Sequence, residues 1–135
     1  GVSKTAVFQI ERDHIDPQSI ENFFLKQSAT WGARPDVAQR ATFGVIQLVE
    51  AIAENCWDEG SLVITARFDE FSLDISVSYK GKPLEFPTRR PSIQQIRDEE
   101  EGARLLAGYL LRQNADRIGS ERHGDRPVVH FHFDH

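Results

Sequence analysis

The stretch VIQLVEAIAENCWDEGSLVITARFDEFSLDISVSY, residues Val45–Tyr79, changes its hydrophobic period once and thereby decides the fold. Val45, Leu48, Val49, Ile52 and Cys56 recur at helical spacing, which places one apolar stripe on a helix that Asp58 and Gly60 end. From Leu62 the period drops to two. Leu62, Ile64, Ala66 and Phe68 alternate with more polar neighbours, Asp69-Glu70-Phe71 makes a short link, and Leu73, Ile75, Val77 and Tyr79 alternate again. That pattern predicts a hairpin whose strands are apolar on one face only.

Working outward, Pro35 and Asp36 sit where the central helix can begin, and a further helix precedes it. Asp16 followed by Pro17 reads as an N-cap with proline at the first helical position, and Ile20, Phe23, Phe24 and Gln27 follow at helical spacing to a stop near Gly32. Thr5–Ile10 alternates as a short half-buried strand. Downstream, Lys82–Pro91 holds three prolines and reads as an extended loop, and Ser92 caps a helical region to about Ala115, broken near Gly102. A second hairpin, Arg117–Glu121 and Pro127–Phe133, turns at His123-Gly124-Asp125. Strands buried on one side only do not suit a doubly wound fold. They predict an α/β (α+β) two-layer sandwich, with one mixed, mostly antiparallel sheet and helices on one face. No repeat or linker divides the chain, so residues 1–135 are read as a single domain.

Composition narrows the function classes. The 135-residue chain is long enough to bury a core without disulfides or metal, and Cys56, its single cysteine, has no internal partner. A reducing, cytoplasmic setting is the expectation. A net charge of -5 opposes nucleic-acid binding, which depends on a basic surface that releases counterions. No apolar run approaches the ~20 residues that span a bilayer, so direct membrane insertion is not expected. The chain contains no methionine and opens Gly-Val-Ser, which reads as a cloning remnant on a piece of a longer protein.

Three segments, with the element order, resemble the histidine-kinase-like ATPase fold, the GHKL superfamily, and within it the anti-sigma-factor serine kinase branch. In that family a helix asparagine holds Mg²⁺, and in the kinase branch a glutamate four residues earlier acts as general base. Here the helix reads QLVEAIAENCW, and two registers compete, Glu50 with Glu54 or Ala51 with Asn55. The apolar stripe sets Asn55 at the edge of the buried face and turns Glu50 and Glu54 away from it, which favours Asn55 as the Mg²⁺ residue. Ala51 then stands where the base belongs, and a methyl group accepts no proton. If the site is active, Glu50 is the candidate catalytic base.

The second segment, VSYKGKPLEF, resembles the family's adenine-binding box. Gly81 is in place, followed by Pro83, but Tyr79 stands where an aspartate accepts the adenine amino group. The third, EEEGARLLAGYLLRQNADRI, Glu99–Ile118, resembles the lid and helix that grip the phosphates. Counting back from Asp116 puts Leu105 and Ala107 at positions the family keeps as glycine, where bare backbone amides meet phosphate. Gly102 and Gly108 lie nearby out of register. Leu106, Tyr109 and Leu110 form a stripe read as core.

The resemblance therefore implies a degenerate ATP-binding module with a regulatory or interaction role. Its nucleotide-site positions are Asn55, Tyr79, Gly81 and Gly102, and ATP with Mg²⁺ is the cofactor if any is bound. An active ATP-dependent serine kinase or ATPase is the alternative. GKPLEFP, LLAGYLLRQNADRI and HFHFDH also resemble the soluble ATPase-like tail of some bacterial xanthine/uracil permeases. That likeness implies a partner in the rest of a longer chain, a membrane permease domain, or another protein.

A separate chemistry resides in the last strand. His130, His132 and Asp134 alternate onto one face, a spacing that can offer two imidazoles and a carboxylate to zinc or nickel. A polar outer strand face is the competing explanation.

Overall fold

The computed structural model describes residues 3–135. Five strands among these residues form one sheet in the order β1-β2-β3-β5-β4: β1 is Lys4–Glu11, β2 Trp57–Phe68, β3 Ser72–Gly81, β4 Arg117–His123 and β5 Arg126–Asp134. Every pairing is antiparallel, so the expected mixed sheet is corrected to a wholly antiparallel one. Among the described residues four helices accompany it, α1 (Pro17–Trp31), α2 (Pro35–Asn55), α3 (Ile93–Arg97) and α4 (Glu99–Asn114), with a single 3-10 turn at Arg12–His14.

The core lies between the sheet and the helices. Leu62, Ile64 and Ala66 of β2, Leu73, Ile75 and Val77 of β3, and Val129, Phe131 and Phe133 of β5 are all buried, as are Val45, Leu48, Val49 and Ile52 of α2. The intervening strand residues face the other way, and on that side stand Asp74, Ser76, His130 and His132. None of the described helices is long and apolar enough to cross a membrane.

Local chemistry sets the boundaries. Asp16 caps α1 by accepting from the Gln18 N–H, and Gly32 closes it in the left-handed region at φ 73°. Helix α2 ends earlier than expected, at Asn55, and β2 begins at once with Trp57. Asp58–Gly60 are not a helix stop but an irregular start to β2, where register shifts fall between Trp57 and Val63 and Gly60 takes φ 73°.

The predicted break in the last helical region falls at Asp98 rather than Gly102. Ser92 and Gln95 form a reciprocal capping box on α3, and Asp98 leaves the helical conformation to accept from the Glu101 N–H as the cap of α4. The acidic residues Glu99–Glu101 then occupy the first turn, where the helix dipole favours them. The buried stripe of α4 is also rotated from expectation. Gly102, Leu105, Gly108 and Leu111 face inward, while Leu110 is 52% exposed.

Candidate functional site

Glu50, Ala51, Glu54 and Asn55, the last turns of α2, form one wall of a groove whose other wall is Ala103, Ala107, Leu110 and Leu111 of α4. Both sequence registers thus meet in the same groove. Glu50 and Glu54 stand exposed on its rim, whereas Ala51 is buried in it. Asn55 turns its Nδ2 donor back onto the Ala51 carbonyl at 3.0 Å, so only its Oδ1 is left to meet a cation. The space amounts to about 210 Å³. Pockets for small molecules usually run ~300–1,000 Å³, so the groove is small for a nucleoside triphosphate.

Tyr79 and Gly81 do not line this groove; they meet behind the end of α2, around Cys56. Tyr79 is fully buried, 0% exposed, and its Oη donates to the Lys82 carbonyl at 2.6 Å. Burial above all, with the Cys56 thiol beside it, holds the phenol well above its ordinary pKa, so the ring stays neutral. Burial likewise pushes the Cys56 thiol up. Lys82 N–H donates to the Cys56 carbonyl at 2.9 Å, and a Cβ on Gly81 would collide with that same carbonyl oxygen. Gly81 is needed here for close backbone approach, not for an unusual φ.

Two glycines of α4 serve the same purpose. A Cβ at Gly102 would lie 2.6 Å from Ile96 Cα, where α4 crosses α3, and one at Gly108 would strike the Glu85 carbonyl. Arg112 Nε donates to the Phe86 carbonyl at 2.9 Å, and Leu84 is buried. Together these contacts press the Lys82–Pro91 segment against α4. Leu105, where the resemblance implies a glycine, is buried, and Ala107 faces the groove.

His130, His132 and Asp134 lie on the far side of the sheet from this groove. His132 Nδ1 is 2.7 Å from Asp74 Oδ1 and its Nε2 2.8 Å from Asp134 Oδ1. Ionised carboxylates only accept, so the two contacts together favour the ring with both nitrogens protonated. Partial burial opposes that charge, but the two carboxylates outweigh it and the pKa of His132 is raised. His130 bridges Ser76 Oγ at 3.1 Å and Glu121 Oε1 at 2.7 Å. Hydrogen bonds to His130 first, and to His123 next, hold the Glu121 carboxyl below the usual range. A metal ligand must offer a ring lone pair, and both nitrogens of His132 already face carboxylates. Among the described residues no group of three or more His, Cys, Asp or Glu is arranged to hold a metal ion.

Two features lay outside the sequence reading. Arg40 of α2 reaches the Asn114 carbonyl at 3.0 Å and Asp116 Oδ1 at 3.5 Å and lies 5.5 Å from the Phe133 ring centroid. Asp116, in turn, accepts from the Asp134 N–H at 2.8 Å, which leads the lowering of its pKa, so the residue that anchors the lid resemblance ties β4 to β5. The second feature is an apolar groove of about 510 Å³ between α1 and α2, walled by Phe24, Leu25, Ala38, Phe43 and Ile46. Leu25 is 61% and Phe43 56% exposed, and neither lies on the helical stripes that announce the core. No family model matches the chain, and no curated protein matches it.

Proposed function

We propose that the protein is a degenerate histidine-kinase-like module, a regulatory or interaction domain in which the nucleotide pocket has been filled. The observation that carries this reading is Tyr79. At the position where an anionic acceptor would take the adenine amino group stands a neutral, fully buried phenol whose hydroxyl is spent on the Lys82 carbonyl. The small groove between α2 and α4, and the backbone-to-backbone packing at Gly81 and Gly108, support the same conclusion. A cytoplasmic position as the soluble part of a longer, permease-like chain fits a domain without a long apolar helix among its described residues.

The test is thermal melting with and without Mg²⁺ and ATP. A ligand at a hundredfold excess over its Kd adds ~2.7 kcal/mol, equivalent to a melting shift on the order of 10 °C for a domain of this size. The degenerate reading predicts a shift near zero, and a shift of several degrees overturns it.

An active serine kinase or ATPase is the second reading, favoured by one fact: Glu50 and Asn55 border the same groove. It requires Mg²⁺ held through Asn55 Oδ1 and Glu50 as base. Transfer of labelled phosphate to a partner serine, abolished in Asn55→Ala, would establish it, and no turnover retires it.

A further inference from the structure

The apolar groove between α1 and α2, about 510 Å³, has the capacity of a small-molecule pocket, a class that usually runs ~300–1,000 Å³. Its shape follows from the sequence. Residues 32–34 alone join the two helices, a link short enough to fold them back on one another as an antiparallel pair. Next to that link the groove is lined by Ala29, Ala33 and Ala38, and toward its other end by Leu25, Phe43 and Ile46. Leu25 and Phe43 are both more than half exposed, and their bare surface belongs to this one groove. Isolated apolar residues on a surface are ordinary, whereas a shared apolar concavity marks a binding site.

The charge of the groove is one-sided. Glu21 is the single ionisable residue that lines it, and among the described residues Glu21 has no hydrogen-bond or ion-pair partner. Each helix carries one basic residue, and neither reaches the groove: Lys26 of α1 is not part of its lining, and Arg40 of α2 is held by the Asn114 carbonyl and Asp116. The remaining polar lining groups, Ser28, Gln39 and Thr42, are uncharged, and the Thr42 hydroxyl donates to the Ala38 carbonyl. Glu21 sits at the end away from the link, one helical turn before Leu25.

We propose that this groove binds a small amphiphilic cation, an organic ammonium ion whose apolar body lies along the alanines and whose charged head meets Glu21. Two properties select that class. The apolar walls favour a hydrocarbon or aromatic body, because the area removed from water stabilises the complex. A carboxylate with no competing cation attracts a positive head and repels an anionic one, so a fatty acid or a phosphate finds no counter-charge there. The inference is independent of what the α2–α4 groove holds.

Three probes of equal chain length test it: n-octylammonium, n-octanol and n-octanoate, each titrated into the full chain below its micelle-forming concentration and followed by amide chemical shifts. Binding should saturate at one site, with the shifts centred on α1 and α2. The ammonium should bind about two- to fivefold more tightly than the alcohol, the worth of an exposed ion pair, and the carboxylate most weakly. That order should flatten as salt is raised. Glu21→Gln should bring the ammonium down to the affinity of the alcohol and leave the alcohol unchanged, while Phe43→Ser should weaken all three and keep their order. Circular dichroism checks that both variants fold. The proposal is overturned if no probe saturates, if the shifts centre outside α1 and α2, or if the ammonium binds no more tightly than the alcohol or the carboxylate. A Glu21→Gln variant that keeps the ammonium preference overturns it equally, as does a Phe43→Ser variant that binds all three like the wild type.

Discussion

Helix α2 borders two grooves of opposite character. Toward α4 it closes on about 210 Å³ with Glu50 and Glu54 at the rim, and toward α1 it leaves about 510 Å³ between largely apolar walls. Of the residues that resemble a nucleotide site, Glu50, Asn55 and Ala107 border the smaller space, while the larger one offers few of the polar groups that a triphosphate needs. On the α4 side, Gly102 and Gly108 let that helix press onto the Ile96 and Glu85 backbone, so it is fixed in place by α3 and the Lys82–Pro91 segment.

The largest expected effect tests whether the region around Cys56, behind the end of α2, is part of the core. Tyr79→Ala removes a fully buried ring and should cost ~3–5 kcal/mol in urea unfolding, comparable to other buried aromatic truncations. A loss below ~1 kcal/mol would mean that the ring is not a filler. Gly108→Ala should follow, at ~1–3 kcal/mol from overpacking, because its methyl would strike the Glu85 carbonyl. If that variant is as stable as wild type, the loop is not clamped to α4.

A reference lies outside both grooves, at His132. Its folded pKa is raised, so its stabilising contribution is fully present below the unfolded value of about 6.5 and disappears as pH rises through the folded value. The stability difference between wild type and His132→Gln, measured by urea unfolding over a pH series, should therefore shrink on going from weakly acidic to alkaline solution. A difference that grows with pH contradicts the doubly bonded imidazolium. The smallest effect belongs to the open side: Phe43→Ser, at a residue 56% exposed, should change stability by no more than ~0.5 kcal/mol. A cost of several kcal/mol there would erase the contrast between the two grooves.

The strands and the central helix were legible in the sequence because each is buried on one face. Alternation in Leu62–Phe68 and Leu73–Tyr79, and the Val45–Cys56 stripe, state that burial directly. The face of α4 was misread for a physical reason. Two of its four inward residues are Gly102 and Gly108, which add nothing to a hydrophobic pattern, so Leu106, Tyr109 and Leu110 looked like the stripe. Gly60 was read as a helix stop because a glycine with positive φ serves a strand irregularity equally well. At the site, helical spacing was enough to bring Glu50 and Asn55 to one groove. The role of Tyr79 was not readable, since its partner is the backbone carbonyl of Lys82 and depends on how the chain folds back over Cys56.

The most direct measurement is a crystal structure of the protein grown with Mg²⁺ and a non-hydrolysable ATP analogue in large excess. The account predicts Tyr79 still bonded to the Lys82 carbonyl and no nucleotide density between α2 and α4. A triphosphate lodged there, its metal on Asn55 and α4 displaced from Glu85, would contradict it.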